Sequence, residues 1–196
     1  MSYLIVYMHP SKDSFNGAVL QAAREELDKL NYPVEIKELA NEKFPPHLSK
    51  EEYKQSLSGE YPEDISKEHE KIKKAEHLIF IFPVWWGGFP ALGKGYIDRV
   101  FSYGFAYELE GETPLPQLNG KKVSLIFTTG APEKEFHESG MYGHMVELLD
   151  QSIFKFCGLE LDGVLHFGDV IQSSDKDRQE MLKTVRQFIS NLAEKT

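Results

Sequence analysis

Short unbroken apolar runs alternate along this chain with longer stretches in which apolar residues recur every three or four positions. Tyr3-Leu4-Ile5-Val6-Tyr7-Met8 is continuous, the pattern of a strand covered on both faces. A polar turn follows, then a helix carrying Val19, Ala23, Leu27 and Leu30 at helical spacing. Val34 to Glu38 alternates and reads as a second, more exposed strand, whereas residues 40–65 are polar and irregular, broken by Pro45, Pro46, Gly59 and Pro62. A loop of that length in a compact domain is usually functional or mobile. A charged helix from about Ser66 to Ala75 leads into the buried strand Leu78 to Phe82, and a helix starting near Pro90 carries Leu92, Tyr96, Ile97, Val100 and Phe101. The strand Val123 to Thr128, the helix Met145 to Phe156, a short strand at Val164 to Phe167 and a helix from Asp175, striped by Met181, Val185, Phe188 and Leu192, complete the series.

Five strands alternating with five helices imply a parallel sheet with helices on both faces, because parallel strands need crossovers and these are right-handed. The simplest arrangement is a doubly wound α/β domain of flavodoxin-like strand order 2-1-3-4-5, taking residues 1–196 as one domain. A ligand then binds where the winding reverses, so the loops after Met8, Phe82 and Thr128 are where chemistry is expected.

Composition narrows the function classes. The 22 Lys+Arg against 31 Asp+Glu give a net charge of −9, which argues against nucleic acid or an anionic membrane as partner. The single cysteine, Cys157, excludes an intrachain disulfide and a Cys-pair metal site, and lies in an apolar setting that suits an inert buried thiol. No apolar run reaches transmembrane length and no basic stretch precedes the first one, so the expectation is a cytoplasmic protein without membrane insertion.

The first loop, His9 to Gly17, offers Ser14, Asn16 and a helix start that suits a phosphate; Ser14 or Asp13 serving only as an N-cap is the alternative. The second, Pro83-Val84-Trp85-Trp86-Gly87-Gly88-Phe89-Pro90, pairs glycines that admit a flat ligand with tryptophans that stack on one. Adjacent tryptophans do not easily both point inward, so at least one is expected to face the pocket. The third, Thr128-Thr129-Gly130-Ala131-Pro132, presents hydroxyls and backbone N–H groups to a heterocycle. Together they describe a flavin crevice better than a nucleotide triphosphate site, since neither G-x-G-x-x-G nor a Walker loop occurs. No histidine pair has metal-ligand spacing; His47, His69, His77, His137 and His166 read as solvated or structural, and the run Lys67 to Lys74 as a solvated helix face.

These residues resemble the NAD(P)H:quinone oxidoreductases of flavodoxin-like fold. The likeness rests on Phe80 to Ala91 with Gly95 and Asp98-Arg99-Val100-Phe101, on His9 with Ser14-Phe15-Asn16, on Gly104-Phe105-Ala106-Tyr107, and on Thr128-Thr129-Gly130, Phe156-Cys157-Gly158 and Arg178. It spans nearly the whole chain and implies a flavin, NAD(P)H as co-substrate, two-electron reduction of a quinone, and a homodimer with sites at its interface. By resemblance, His9, Ser14, Phe15, Asn16 and Ala18 hold the phosphate and ribityl part. Pro83, Val84, Trp85, Trp86, Gly87, Thr128, Thr129, Gly130, Ala131 and Phe136 line the isoalloxazine. Arg178 and Leu182 match positions near the adenine, and Glu60 precedes a matching Tyr61-Pro62, which favours FAD over FMN. Tyr107, with Trp86 and Tyr142, belongs to the substrate pocket.

Two positions depart from the family. Where its members carry a Tyr and a His beside the flavin, this chain has Phe136 and Tyr142, with His144 in that place if the alignment slips by two residues. Tyr142 and His144 are therefore the alternatives for handling charge or a proton. The expected activity is ping-pong hydride transfer from NAD(P)H through flavin N5 to a quinone or similar electrophile. A flavodoxin-type electron carrier and a regulatory subunit of a potassium-efflux transporter are the alternatives.

Overall fold

A computed structural model describes residues 1–194. Its core is a five-stranded parallel sheet of order β2-β1-β3-β6-β7, formed by β1 (Tyr3–Tyr7), β2 (Val34–Glu38), β3 (His77–Pro83), β6 (Lys122–Thr128) and β7 (Glu160–Phe167). This is the doubly wound order expected, with a hairpin of β4 (Tyr107–Glu110) and β5 (Thr113–Pro116) inserted before the fourth sheet strand. Residues 195–196 of the expected domain lie outside the described residues.

Alternate strand residues feed two separate cores. Tyr3, Ile5, Tyr7, Ile79, Ile81 and Ile126 face α1 (Phe15–Lys29) and α8 (Asp175–Glu194), meeting Val19, Leu27, Val185 and Ile189. Leu4, Val6, Phe80, Phe82, Leu125 and Phe127 face the opposite layer, which includes α3 (Glu63–Lys74), α4 (Ala91–Val100) and α6 (Met141–Leu149) and supplies Ile65, Ile72, Tyr96, Val100, Met145 and Leu149. Each such side chain contributes about 1.5–3 kcal/mol on burial, so both faces of the sheet are held by the same effect. The strand ends are thereby fixed, and with them the loops at the carboxyl edge.

Four segments differ from the sequence expectation. Residues 40–65 contain a short helix, α2 (Lys50–Ser56), started by a capping box in which Ser49 Oγ accepts from Glu52 N–H and Glu52 returns the bond to Ser49 N–H, each at 3.1 Å. Its seven residues carry no apolar stripe, so periodicity misses it while the cap does not. Helix α3 starts at Glu63, directly after Pro62, and its charged run is not wholly solvated. Glu68 is 2% exposed and ion-paired with Lys37 at 3.0 Å and Lys71 at 3.1 Å. The expected helix Met145 to Phe156 starts earlier at Met141, passes through a π-helical turn at Asp150–Phe154, and ends in α7 (Lys155–Cys157). Strand β7 begins at Glu160, four residues early, where a pairing irregularity opposite Val123–Leu125 absorbs Gly163.

Candidate functional site

The loops that follow β1, β3 and β6 close around one cavity of about 480 Å³. Its wall comprises His9, Ser14, Phe15, Asn16, Pro83, Val84, Trp85, Thr128, Thr129, Gly130, Val170, Ile171 and Arg178. Sequence reasoning named all of these except Val170 and Ile171. The latter pair follows β7 in a stretch without periodicity, and only the fold brings it across to Gly130.

On the first loop, Ser14 caps α1: its Oγ accepts from Gly17 N–H at 3.1 Å and donates to the Ser11 carbonyl at 2.8 Å. The hydroxyl is thus committed to the helix start. The first-turn N–H groups of Phe15 and Asn16 have no intrahelical acceptor, and the helix dipole adds positive potential there. His9 Nδ1 lies 3.0 Å from Ser11 N and 2.9 Å from its carbonyl, so the ring is oriented through this nitrogen alone.

Asn16 ties the first loop to the third. Its Nδ2 donates to Thr128 Oγ1 at 2.8 Å in a buried bond, while its Oδ1 is buried with no partner. Arg178 donates to the Val170 carbonyl at 3.1 Å and likewise leaves Nε buried and unpartnered. Orphaned buried polar groups are costly, and two of opposite hydrogen-bonding sense on one cavity wall describe a site built for a polar ligand. A ligand carrying both hydroxyl donors and an anionic acceptor group would satisfy the two.

The second loop is a tight turn. Trp85 and Gly88 exchange both backbone bonds at 3.1 and 3.2 Å, and Trp86 and Gly87 occupy the turn with φ of +53° and +80°. These are the signs of a primed two-residue turn, which costs nothing at Gly87 and strains Trp86. The result separates the tryptophans: Trp85 lines the cavity 6.1 Å from the His9 ring, whereas Trp86 projects wholly into solvent.

Several expected residues stand elsewhere. Ala18 lines an adjoining cavity of about 440 Å³ that shares Ser14 with the first and also includes Lys12 and Arg24. Leu182 packs on the core of the α1–α8 layer. Phe136 is buried beneath the site against Phe127 and His166, and Ala131 is exposed, its carbonyl accepting from Thr129 and Asp169. Gly87 borders a groove with Phe89, Met145 and Leu148, and Tyr107 borders a cavity with Tyr61, Arg99 and Tyr103. His144 is exposed on α6. Tyr142 stacks on His137 with centroids 4.0 Å apart, its phenol pushed up by burial and then by Glu133. His166, expected to be solvated or structural, is buried with Nε2 2.9 Å from Thr129 Oγ1. Cys157 is buried and its thiol is pushed up to about 12 by burial, an inert state. Among the described residues no group of three or more His, Cys, Asp or Glu is placed to hold a metal ion. No helix among them is long and apolar enough to cross a membrane.

A family model described as flavodoxin-like fold matches residues 1–189. An uncharacterized NAD(P)H oxidoreductase of Haemophilus influenzae is 34% identical over 188 residues, which are 95% of this chain and 93% of the relative. The ribosyldihydronicotinamide dehydrogenase (quinone) of Rattus norvegicus is 31% identical, over 96% of this chain and 90% of its own. Among solved structures, the NAD(P)H:quinone oxidoreductase from Methanothermobacter marburgensis superposes with a TM-score of 0.89 at 31% identity, covering 98% of each chain.

Proposed function

The chain belongs to the family of the flavodoxin-like fold, and from that premise we propose that it is a flavin-dependent NAD(P)H:quinone oxidoreductase. The observation that carries this reading is the pair of unsatisfied buried groups, Asn16 Oδ1 and Arg178 Nε, on the wall of the cavity at the switch point. A flavin held there by Asn16 and Arg178 would supply two-electron hydride chemistry between NAD(P)H and a quinone or similar flat electrophile.

The protein's own part is placement and electrostatics. Asn16, Arg178 and the first-turn N–H groups of α1 hold the phosphate and its alcohol chain, with the positive end of the helix dipole favouring the anion. Trp85 gives an aromatic face to the flat ring, and Thr128 and Gly130 offer a hydroxyl and a backbone N–H to its polar edge, with Thr129 on the wall beside them. Reductant and acceptor use the open face in turn, which imposes a ping-pong order.

FAD is the flavin we assign, on the adjoining cavity lined by Lys12, Asp13, Ala18, Arg24 and Glu38, which continues past Ser14 and has room for a second nucleotide half. We further propose a homodimer that joins through the apolar groove beside Gly87 and Phe89, where Trp86, Met141 and Leu148 are exposed, with Tyr107 reaching toward the partner's site. Dependence on NAD(P)H accords with work in the cytoplasm.

The test is the visible spectrum of the purified protein reconstituted with FAD or FMN, followed anaerobically with NAD(P)H and then a quinone. Bleaching and recovery are expected, with tighter retention of FAD and a dimer by light scattering. A flavin that binds but is not bleached overturns the oxidoreductase reading, and no binding of either flavin removes the site itself.

A further inference from the structure

Behind the cavity wall, two histidines with no part in the reaction so far stand in line with Thr129. His166 on β7 places Nε2 2.9 Å from Thr129 Oγ1 and Nδ1 3.3 Å from Nε2 of His137 on α5 (Glu133–Glu138). The strand register fixes this arrangement, since Thr129 N–H donates to the Phe167 carbonyl at 2.9 Å beside it. His166 is buried and stacked on Phe127 at 4.7 Å, while His137 is exposed and held by its stacking on Tyr142.

The direction of the chain follows from counting protons. Thr129 has one hydroxyl proton and donates it to the Ala131 carbonyl at 2.8 Å, so toward His166 it accepts. His166 therefore carries its hydrogen on Nε2 and has a bare Nδ1, which accepts from Nε2–H of His137. His137 Nδ1 is left toward solvent. Burial and then the neighbouring His137 push the His166 imidazole down to about 4, so it is neutral, as an intermediate link must be at rest. Around the pair stand His137 and Glu133 from α5, Tyr142 from α6 and Thr129 after β6; Phe127 and Phe136 close the remainder.

We propose that His137, His166 and Thr129 form a proton relay leading from solvent to the acceptor bound in the cavity. The inference rests on the quinone-reductase reading, in which NAD(P)H and one proton convert a quinone to its hydroquinone. The hydride carries two electrons and one hydrogen, so one further proton must come from water. It enters at His137 Nδ1 as Nε2–H of His137 passes to His166 Nδ1. Nε2–H of His166 then passes to Thr129 Oγ1 as the hydroxyl turns away from the Ala131 carbonyl and gives its own proton to an oxygen of the reduced acceptor, and both imidazoles are left in the other tautomer until the rings reset. One proton enters, one leaves, and no side chain ends with a changed charge. His137 and His166 act through Thr129, so they are positioning residues and the only relay member on the wall is Thr129. This assigns a role that Phe136 cannot fill and that a phenol at Tyr142, its pKa raised, fills poorly.

The test uses the flavin-loaded wild type and His137→Ala, which removes the outer link without touching the cavity. Flavin affinity should be unchanged, whereas reoxidation by a quinone should slow about tenfold or more above pH 7 and be restored by added imidazole. Independently of turnover, nitrogen-15 NMR should find the His166 hydrogen on Nε2 and none on Nδ1. Unaltered reoxidation in His137→Ala, with no effect of imidazole, overturns the relay while leaving the enzyme reading intact. A wild type that no quinone reoxidises overturns the enzyme reading instead; the relay is then judged by NMR, where a bare Nε2 on His166 overturns it.

Discussion

Asn16 Nδ2 donates to Thr128 Oγ1 at 2.8 Å across 112 residues of sequence, clasping the start of α1 to the end of β6. The same side chain keeps Oδ1 buried and unpartnered, so one amide both closes the crevice and faces what enters it. Replacing it by a carboxylate preserves the shape, since Thr128 then donates, but sets a negative charge beside the phosphate position. Asn16→Asp is expected to weaken flavin binding about tenfold or more, an electrostatic cost of roughly 1.4 kcal/mol. Flavin fluorescence titration reads this directly, and an unchanged affinity would remove Asn16 from the site.

The two tryptophans should separate in the same assay. Trp85 lines the cavity and Trp86 does not, so Trp85→Ala should lower flavin affinity by about 1 kcal/mol of lost stacking. Trp86→Ala should leave that affinity unchanged and weaken association between copies, seen as a shift toward monomer in light scattering. The reverse assignment would contradict the turn geometry at Trp86 and Gly87.

Gly17 offers a structural test of the loop that presents the site. A Cβ there would collide with the Lys12 backbone carbonyl, which no side-chain rotation relieves. Gly17→Ala is therefore expected to displace the loop, lowering stability in urea unfolding by about 1–3 kcal/mol and abolishing flavin retention. A variant of unchanged stability that still holds flavin would show that the loop yields without consequence.

Stability should fall on mild acidification. His69, stacked on Phe105 and met edge-on by Tyr61, and His166 are both pushed down to about 4, in each case chiefly by burial. Their ordinary value is about 6.5, so between pH 6.5 and 4 the unfolded chain takes up protons that the native state refuses. The stability each confers is complete above pH 6.5 and is lost as pH falls toward 4, by up to about 3 kcal/mol apiece. Urea midpoints measured from pH 7.5 to 5 should decline, and His69→Leu should flatten the decline; an equal slope in wild type and variant would contradict it.

Much of this molecule is decided by local pattern. Tyr3 to Met8, Leu78 to Phe82 and Val123 to Thr128 are each apolar without interruption, and that alone commits them to a sheet covered on both faces, because water cannot be tolerated on either side. With helical stripes between them, the strand order, the switch point and the three site loops follow, and so do Asn16 and Trp85 as candidates, whereas Arg178 is named only by the family resemblance. The capping box at Ser49 and Glu52 was also readable in sequence, although no apolar stripe announced the helix it starts.

What tertiary structure alone decided lies in contacts between segments that carry no mutual signal. Trp85 and Trp86 are equivalent in sequence, and the backbone of one tight turn assigns one to the cavity and the other to solvent. Val170 and Ile171 become wall residues because β7 ends beside β6, and His166 meets Thr129 across 37 residues for the same reason. Periodicity reports which face of its own element a residue takes. Which groups from other elements meet it there is set by packing the sheet and its two helical layers together, and that determines which polar atoms are paired and which are left for a ligand.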